Sequence, residues 1–169
     1  MKTRLLIPAL VVTIIGFSFN SYSQSTATAT ATATVITPIS ISKNSDMSFG
    51  NLAVQSGTGG TVVLAPAGTR SSTSGVTLPS STGTVSAASF TVTGSGSSTY
   101  SITLPSSVTL THTNGTNTMS AGSFISNPST GTLSSGTQDI AVGATLTVTA
   151  GQLAGVYTSG NFNVTVNYN

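Results

Sequence analysis

The sequence predicts an all-β protein built as an antiparallel β-sandwich. Three observations carry that expectation. Apolar residues recur with period two along most of the chain, as a strand with one buried face requires. Short alternating runs are separated by clusters of Gly, Pro, Asn and Ser, the residues that make turns. Beyond the first residues, no window of useful length shows the 3.6-residue periodicity of an amphipathic helix.

The start of the chain reads as a targeting signal. Lys2 and Arg4 form a positive n-region, and Leu5–Phe19 is an apolar stretch too short to span a bilayer. Ser21-Tyr22-Ser23 places small residues at the cleavage-determining positions. This predicts a signal peptide over residues 1–23, with Gln24 as the mature N-terminus. The expected route is export to the periplasm, then to the cell surface or the medium. No later run is long and apolar enough for a transmembrane segment.

The stretch Ser25–Ile41 reads STATATATATVITPISI. Ala27, Ala29, Ala31, Ala33 and Val35 alternate with threonine, so an extended strand would carry small apolar groups on one face. Pro38 interrupts the run, because proline cannot donate to a central ladder. Two pieces follow. Residues 24–37 form an N-terminal extension with a free strand at Thr26–Ile36, and residues 38–169 form the domain. A free, uncharged strand requires a sheet edge to complete, and another copy of the chain can supply one.

The domain elements come in order. Met47 and Phe49 alternate inward, and Gly50 allows a bend. Thr61–Ala65 is a strand, and Pro66–Gly75 is a loop carrying Arg70. After Val76–Leu78, the strands Val85–Thr93 and Thr99–Leu104 read as a β-hairpin around Gly94–Ser98. Val108–Thr111 ends at the Asn114-Gly115 turn signal, and Gly122 suggests a bulge in Asn117–Ser126. Asn127–Gly136 is a loop. Gln138–Val142, Ala144–Thr149 and Gly155–Asn169 complete the series. In the last of these, Phe162, Val164, Val166 and Tyr168 alternate, which predicts an acceptor strand whose free side pairs with a partner.

Composition narrows the function classes. Beyond residue 23 the charged residues are Lys43, Asp46, Arg70 and Asp139, which sum to zero. Two separated cations make no basic patch, so no nucleic-acid partner is expected. There is no cysteine, hence no disulfide and no thiol chemistry. Ser and Thr exceed a third of the residues, which suits the solvent faces of strands given threonine's strand propensity. So little charge is unusual for a protein that must stay dispersed and natural for a subunit that assembles.

No constellation for catalysis is evident. His112 is the only histidine and reads as a loop or surface residue beside the Asn114-Gly115 turn. Asp46 and Asp139 are the only acids, too few and too separated to predict a glycosidase pair. Metal ligands do not cluster, so neither metal nor cofactor is expected. Lys43, Asn44 and Asp46 read as a solvated turn rather than an isopeptide site. Gly57–Gly60 lacks the lysine of a phosphate loop. Tyr100, Tyr157 and Tyr168 fall in strands, where packing is the common use.

Several segments together resemble a bacterial family known as domain of unknown function 4402. They are the Ala/Thr run into Val35-Ile36-Thr37-Pro38-Ile39, Asp46-Met47-Ser48-Phe49-Gly50, Gly60-Thr61-Val62-Val63-Leu64, Gly68-Thr69-Arg70 and Ala88-Ser89-Phe90-Thr91-Val92. Ala154-Gly155-Val156-Tyr157-Thr158-Ser159, ahead of Val164-Thr165-Val166, completes the match. More remotely, the Phe49-Gly50 segment and the Gly-x-Tyr tail are similar to spore-coat-U-type subunits of archaic chaperone–usher pili, although the cysteines many of those carry are absent here. That second resemblance implies an immunoglobulin-like, pilin-like sandwich that polymerises by N-terminal donor-strand exchange. It also implies a periplasmic chaperone and an outer-membrane usher as partners. The expected function is a structural subunit of a surface fibre or coat, a non-enzymatic homopolymer. Its donor residues would be Ala27, Ala29, Ala31, Ala33, Val35 and Ile36. The competing class is a monomeric secreted module that binds glycans.

Overall fold

A computed structural model describes residues 23–169. Except for Ser23, the expected signal peptide lies outside the described residues. The chain divides by contact between Thr34 and Val35. Residues 23–34 carry no strand and are exposed. In the second unit, Val35 and Ile36 are also exposed and outside any strand. The alternation at Thr26–Ile36 thus has no ladder partner among the described residues.

The folded unit is all strand, with no helix among the described residues. In chain order the strands are β1 (Ser40–Ser45), β2 (Ser48–Phe49), β3 (Ala53–Val54), β4 (Gly60–Leu64), β5 (Arg70–Ser72), β6 (Val76–Thr77), β7 (Val85–Ser86) and β8 (Ala88–Thr93). They continue with β9 (Thr99–Thr103), β10 (Ser107–His112), β11 (Thr118–Asn127), β12 (Gly131–Thr132), β13 (Thr137–Val148), β14 (Tyr157–Ser159) and β15 (Thr165–Tyr168). Every ladder between them is antiparallel. The main sheet runs β1-β8-β13-β11-β10-β14, with β4 and β5 attached through β13. A second sheet, β12-β9-β15, and the short pairs β2–β7 and β3–β6 complete the sandwich-like arrangement.

β13 is the central element. Its even residues Ile140, Val142, Ala144, Leu146 and Val148 are all buried, so a single face serves the whole core. Along one edge it pairs with β11. Along the other it pairs first with β8, over Thr137–Val142, and then with β4, over Ala144–Val148. Gly143 marks the change of partner. The expected break between Val142 and Ala144 is therefore absent: the glycine accommodates the Leu64 carbonyl, which lies where a side chain would otherwise sit.

Two apolar clusters result. One gathers Phe49, Val62, Leu64, Met119 and Leu146. The other gathers Phe90, Val92, Tyr100, Leu133, Ile140 and Val166. Met47 and Phe124 pack against both.

Three further expectations are corrected. Val85–Thr93 and Thr99–Leu104 are not a hairpin. β8 pairs with β1 and β13, whereas β9 pairs with β12 and β15 in the facing sheet. The Gly94–Ser98 connection crosses between sheets, and its Gly94 N–H donates to Gly136 O at 2.9 Å. The Pro66–Gly75 loop contains β5, which pairs with β4. There the Arg70 guanidinium donates to the Phe49 and Asn51 carbonyls at 2.5 and 2.6 Å, tying down the chain around Gly50. The expected strand Gly155–Asn169 is two strands in different sheets, β14 and β15.

The Asn-Gly signal does make a hairpin, between β10 and β11. The Asn114 side-chain oxygen accepts from the Thr116 and Asn117 N–H groups, and Gly115 takes a φ of 80°. A register shift between Gly122 and Ile125 marks the expected bulge.

Tyr100 gives a pH expectation. It is fully buried, and its hydroxyl donates to Gln138 Oε1 at 2.8 Å. Burial raises its pKa above the usual 10.0, because the phenolate would be desolvated. The folded state thus holds this proton more tightly than the unfolded chain. The contribution is fully present below about pH 10 and is lost as pH rises through the folded pKa. Thermal melts at increasing alkaline pH should fall more steeply for the natural protein than for Tyr100→Phe. Parallel alkaline limbs would refute this.

Candidate functional site

The main path of the large sheet ends in β1 and β14, while β5 forms a separate edge beside β4. β1 pairs only with β8, and β14 only with β10, among the described residues. Both line a single cleft of about 700 Å³, so the sheet curls until its ends face each other across an unfilled seam. The floor is the inward face of the same sheet, with Phe90 from β8, Leu110 from β10 and Phe124 from β11. A second cleft of about 650 Å³ shares Met47, Phe49, Leu110 and Tyr157 with the first. Together they form a groove from Ile41 on β1 to Val54 on β3, along the Gln152–Val164 segment.

The C-terminal lip is held by local contacts. Tyr157 packs edge-on to His112, with ring centroids 4.8 Å apart, and its hydroxyl donates to Leu153 O at 2.8 Å. Gln152 Nε2 donates to the same hydroxyl at 3.0 Å. Gly155 lies so close to His112 Nε2 that a side chain there would overlap the ring. Phe162 packs on Phe124 at a centroid distance of 5.4 Å.

The predicted acceptor residues divide. Phe162 and Val164 precede β15, are half-buried and line the cleft. Val166 is buried in the second apolar cluster. Tyr168 is half-buried and sits outside the cleft lining; its hydroxyl donates to Thr37 O at 2.8 Å and accepts from Ser95 N–H. The edges β1 and β14 as lips of one cleft were not anticipated from sequence. The expected donor residues Ala27, Ala29, Ala31 and Ala33 lie in the N-terminal unit, and Val35 and Ile36 precede β1.

The titratable groups are dispersed. His112 is buried at the end of β10, not a loop or surface residue as expected. Its Nδ1 accepts from Asn114 N–H at 3.0 Å, which leaves Nε2 to carry the proton towards Ala154 O at 3.2 Å. Asp46 pairs with Lys43 at 2.7 Å on the cleft rim, in solvent, and Asn44 donates to Thr91 Oγ1. Asp139 accepts from Thr91 Oγ1. No group of three or more His, Cys, Asp or Glu side chains suited to a metal occurs among the described residues. Among the described residues there is no helix long and apolar enough to cross a membrane.

Fold and groove define the class first: an antiparallel β-sandwich-like domain whose principal sheet stops short of closure. The family described as domain of unknown function (DUF4402) matches residues 39–168, and the chain belongs to that family. No curated protein and no solved structure matches it.

Proposed function

We propose that this protein is an exported structural subunit of a bacterial surface fibre or coat. In this reading it assembles with copies of itself by donating the strand Thr26–Ile36 to the next subunit. The observation that carries the reading is the groove. Two unpaired strand edges flank an apolar floor, and an added strand would pair with such edges and cover such a floor. The alternating, uncharged Ala/Thr segment supplies a strand of suitable chemistry. A periplasmic chaperone would cover the same edges before assembly, and an outer-membrane usher would be the site of exchange. No catalytic group takes part.

The test is assembly of the mature protein. Size-exclusion chromatography should give a ladder of oligomers, and electron micrographs should show filaments. Deleting Ser25–Ile36 should leave a folded monomer, and Ala29→Asp or Ala31→Asp should shift the ladder towards monomer without lowering the melting temperature. Filaments of unchanged morphology from the truncated protein would refute donation of this segment. A sharp monomer peak from the full mature chain would favour a monomeric binding module instead.

A further inference from the structure

We infer that His112 is an acid-sensitive latch: the neutral imidazole holds the Gln152–Ser159 lip against β10, and protonation of the ring releases it. The latch itself stands on the geometry around the ring. Its consequence for assembly rests on the reading proposed above.

The ring is buried, and both of its nitrogens are committed. Nδ1 accepts from Asn114 N–H, and Nε2 carries its proton towards Ala154 O. Only the neutral ring can do both, because an imidazolium has a proton on each nitrogen and no acceptor. Protonation sets a new Nδ1–H against the Asn114 N–H, whose nitrogen lies 3.0 Å away. Turning the ring over brings no relief, since either nitrogen then donates.

No counter-charge attends the ring among the described residues. From β14 the titratable group that faces it is Tyr157, whose hydroxyl is engaged with Leu153 O. From the turn it meets Asn114, from the approach to β11 Asn117, and from the lip Ala154 and Gly155, all uncharged. The one ion pair among the described residues joins Lys43 to Asp46, so no carboxylate lies within salt-bridge reach of His112. A buried cation that has lost an acceptor and gained no anion is unfavourable.

The ring gives way rather than the turn. The turn is closed by His112 N–H to Asn117 O and by Gly115 N–H to His112 O, each at 2.8 Å, and by the Asn114 side chain. The lip is held more lightly. Among the described residues β14 pairs with β10 at three positions, Leu110 with Ser159, Thr111 with Thr158 and His112 with Tyr157. Two further ties run from Gln152 Nε2 to Thr118 O and from Thr113 N–H to Val156 O. When the ring swings out, the Ala154 carbonyl loses its donor and Tyr157 loses its edge contact. A short ladder with few buried contacts is the kind of element that opens locally.

The docked lip requires the neutral ring, and the released lip accepts the proton. Docking therefore weakens as pH falls, across the span from about pH 8 to about pH 5 in which imidazole side chains take up a proton. Tyr157 lines both clefts, so release opens one side of the groove. On the assembly reading, acid loosens the seat of the partner strand and neutral medium closes it.

Hydrogen exchange of the full mature chain tests the latch. It is followed by mass spectrometry on the monomer fraction at about pH 8 and about pH 5, corrected for the intrinsic pH dependence of exchange. Protection of the Leu153–Ser159 amides should fall about tenfold at the lower pH, the scale of one net hydrogen bond, while β13 stays protected. His112→Asn offers an oxygen to the Asn114 N–H and cannot titrate, so its lip should exchange alike at both pH values. Gly155→Ala leaves His112 in place but displaces the ring, because the added carbon would overlap Nε2. Its lip should exchange in the acid manner already at the higher pH. Equal lip protection of the natural chain at both pH values, the same acid loss in His112→Asn, or an unaltered lip in Gly155→Ala would overturn the latch. Loss that spreads equally to β13 would mean general acid unfolding and would overturn it too. Size-exclusion chromatography at both pH values separates the two readings. A ladder with a pH-independent lip removes the latch and leaves assembly, whereas an acid-opened lip with a monomer throughout removes assembly and leaves the latch.

Discussion

Val166→Asp is expected to abolish accumulation of folded protein. Val166 is 8 % exposed and belongs to the cluster built by Phe90, Tyr100, Leu133 and Ile140. Among the described residues no cation is placed there to pair with a new carboxylate, since Lys43 already meets Asp46 and Arg70 is spent on backbone carbonyls. Burying an unpaired charge costs several kcal/mol, comparable to the 5–15 kcal/mol that typically separates folded from unfolded domains. Val166→Ala, which removes only apolar contact, should cost about 2 kcal/mol and still fold. Val164→Asp should be milder than Val166→Asp, because Val164 is half-buried on the cleft lip and its carboxylate can turn to water. Soluble yield and thermal melting of the three variants check the order. Normal melting of Val166→Asp would show that β15 is not seated in the core.

The second large effect is expected at Gly131. This residue pairs with Tyr100 across the β12–β9 ladder, and its missing side chain leaves the space the phenol ring occupies. Any Cβ at Gly131 would overlap the ring of a fully buried tyrosine. The ring cannot retreat without breaking its hydrogen bond to Gln138, whose Oε1 also accepts from Thr132 N–H at 2.9 Å. Gly131→Ala should therefore destabilise by about 3 kcal/mol, the upper part of the overpacking range. A smaller partner should relieve it: in Gly131→Ala with Tyr100→Leu, the two costs should sum to less than their separate values, because both changes act on one volume. Denaturant unfolding of the cycle measures the coupling. Strict additivity would mean that the ring and the glycine do not compete for space.

How far the sequence reports the structure depends on the range of the interaction. The β10–β11 hairpin was legible because Asn114 and Gly115 encode the turn locally. The inward sides of β8 and β13 were legible because alternation is a property of each strand alone. Which sheet a strand joins is not: Phe90 and Tyr100 both point inward, but from facing layers, and a pattern of period two is the same in either. Gly143 misled for a related reason. A glycine inside a strand can mark a break or a close approach, and only the position of Leu64 decides which. The burial of His112 depends on Ala154 and Tyr157, more than forty residues away along the chain. The groove lies between β1 and β14, the first and last strands of the main sheet, which do not pair with each other, and no local pattern encodes an absent neighbour. The Ala/Thr alternation, by contrast, was visible at once because it is unusual and local.

β13 has a mechanical consequence. A sandwich with two apolar clusters could come apart in two stages, one cluster melting while the other stays ordered. Here one backbone contributes Ile140 and Val142 to one cluster and Ala144, Leu146 and Val148 to the other. Pulling β13 out of either half strips side chains from the second within a few residues, so a half-melted domain would leave much of this strand stranded in solvent. The domain should behave as one cooperative block whose most protected amides lie along β13. If copies are linked in series as proposed above, tension applied at the termini would be met by the whole block at once.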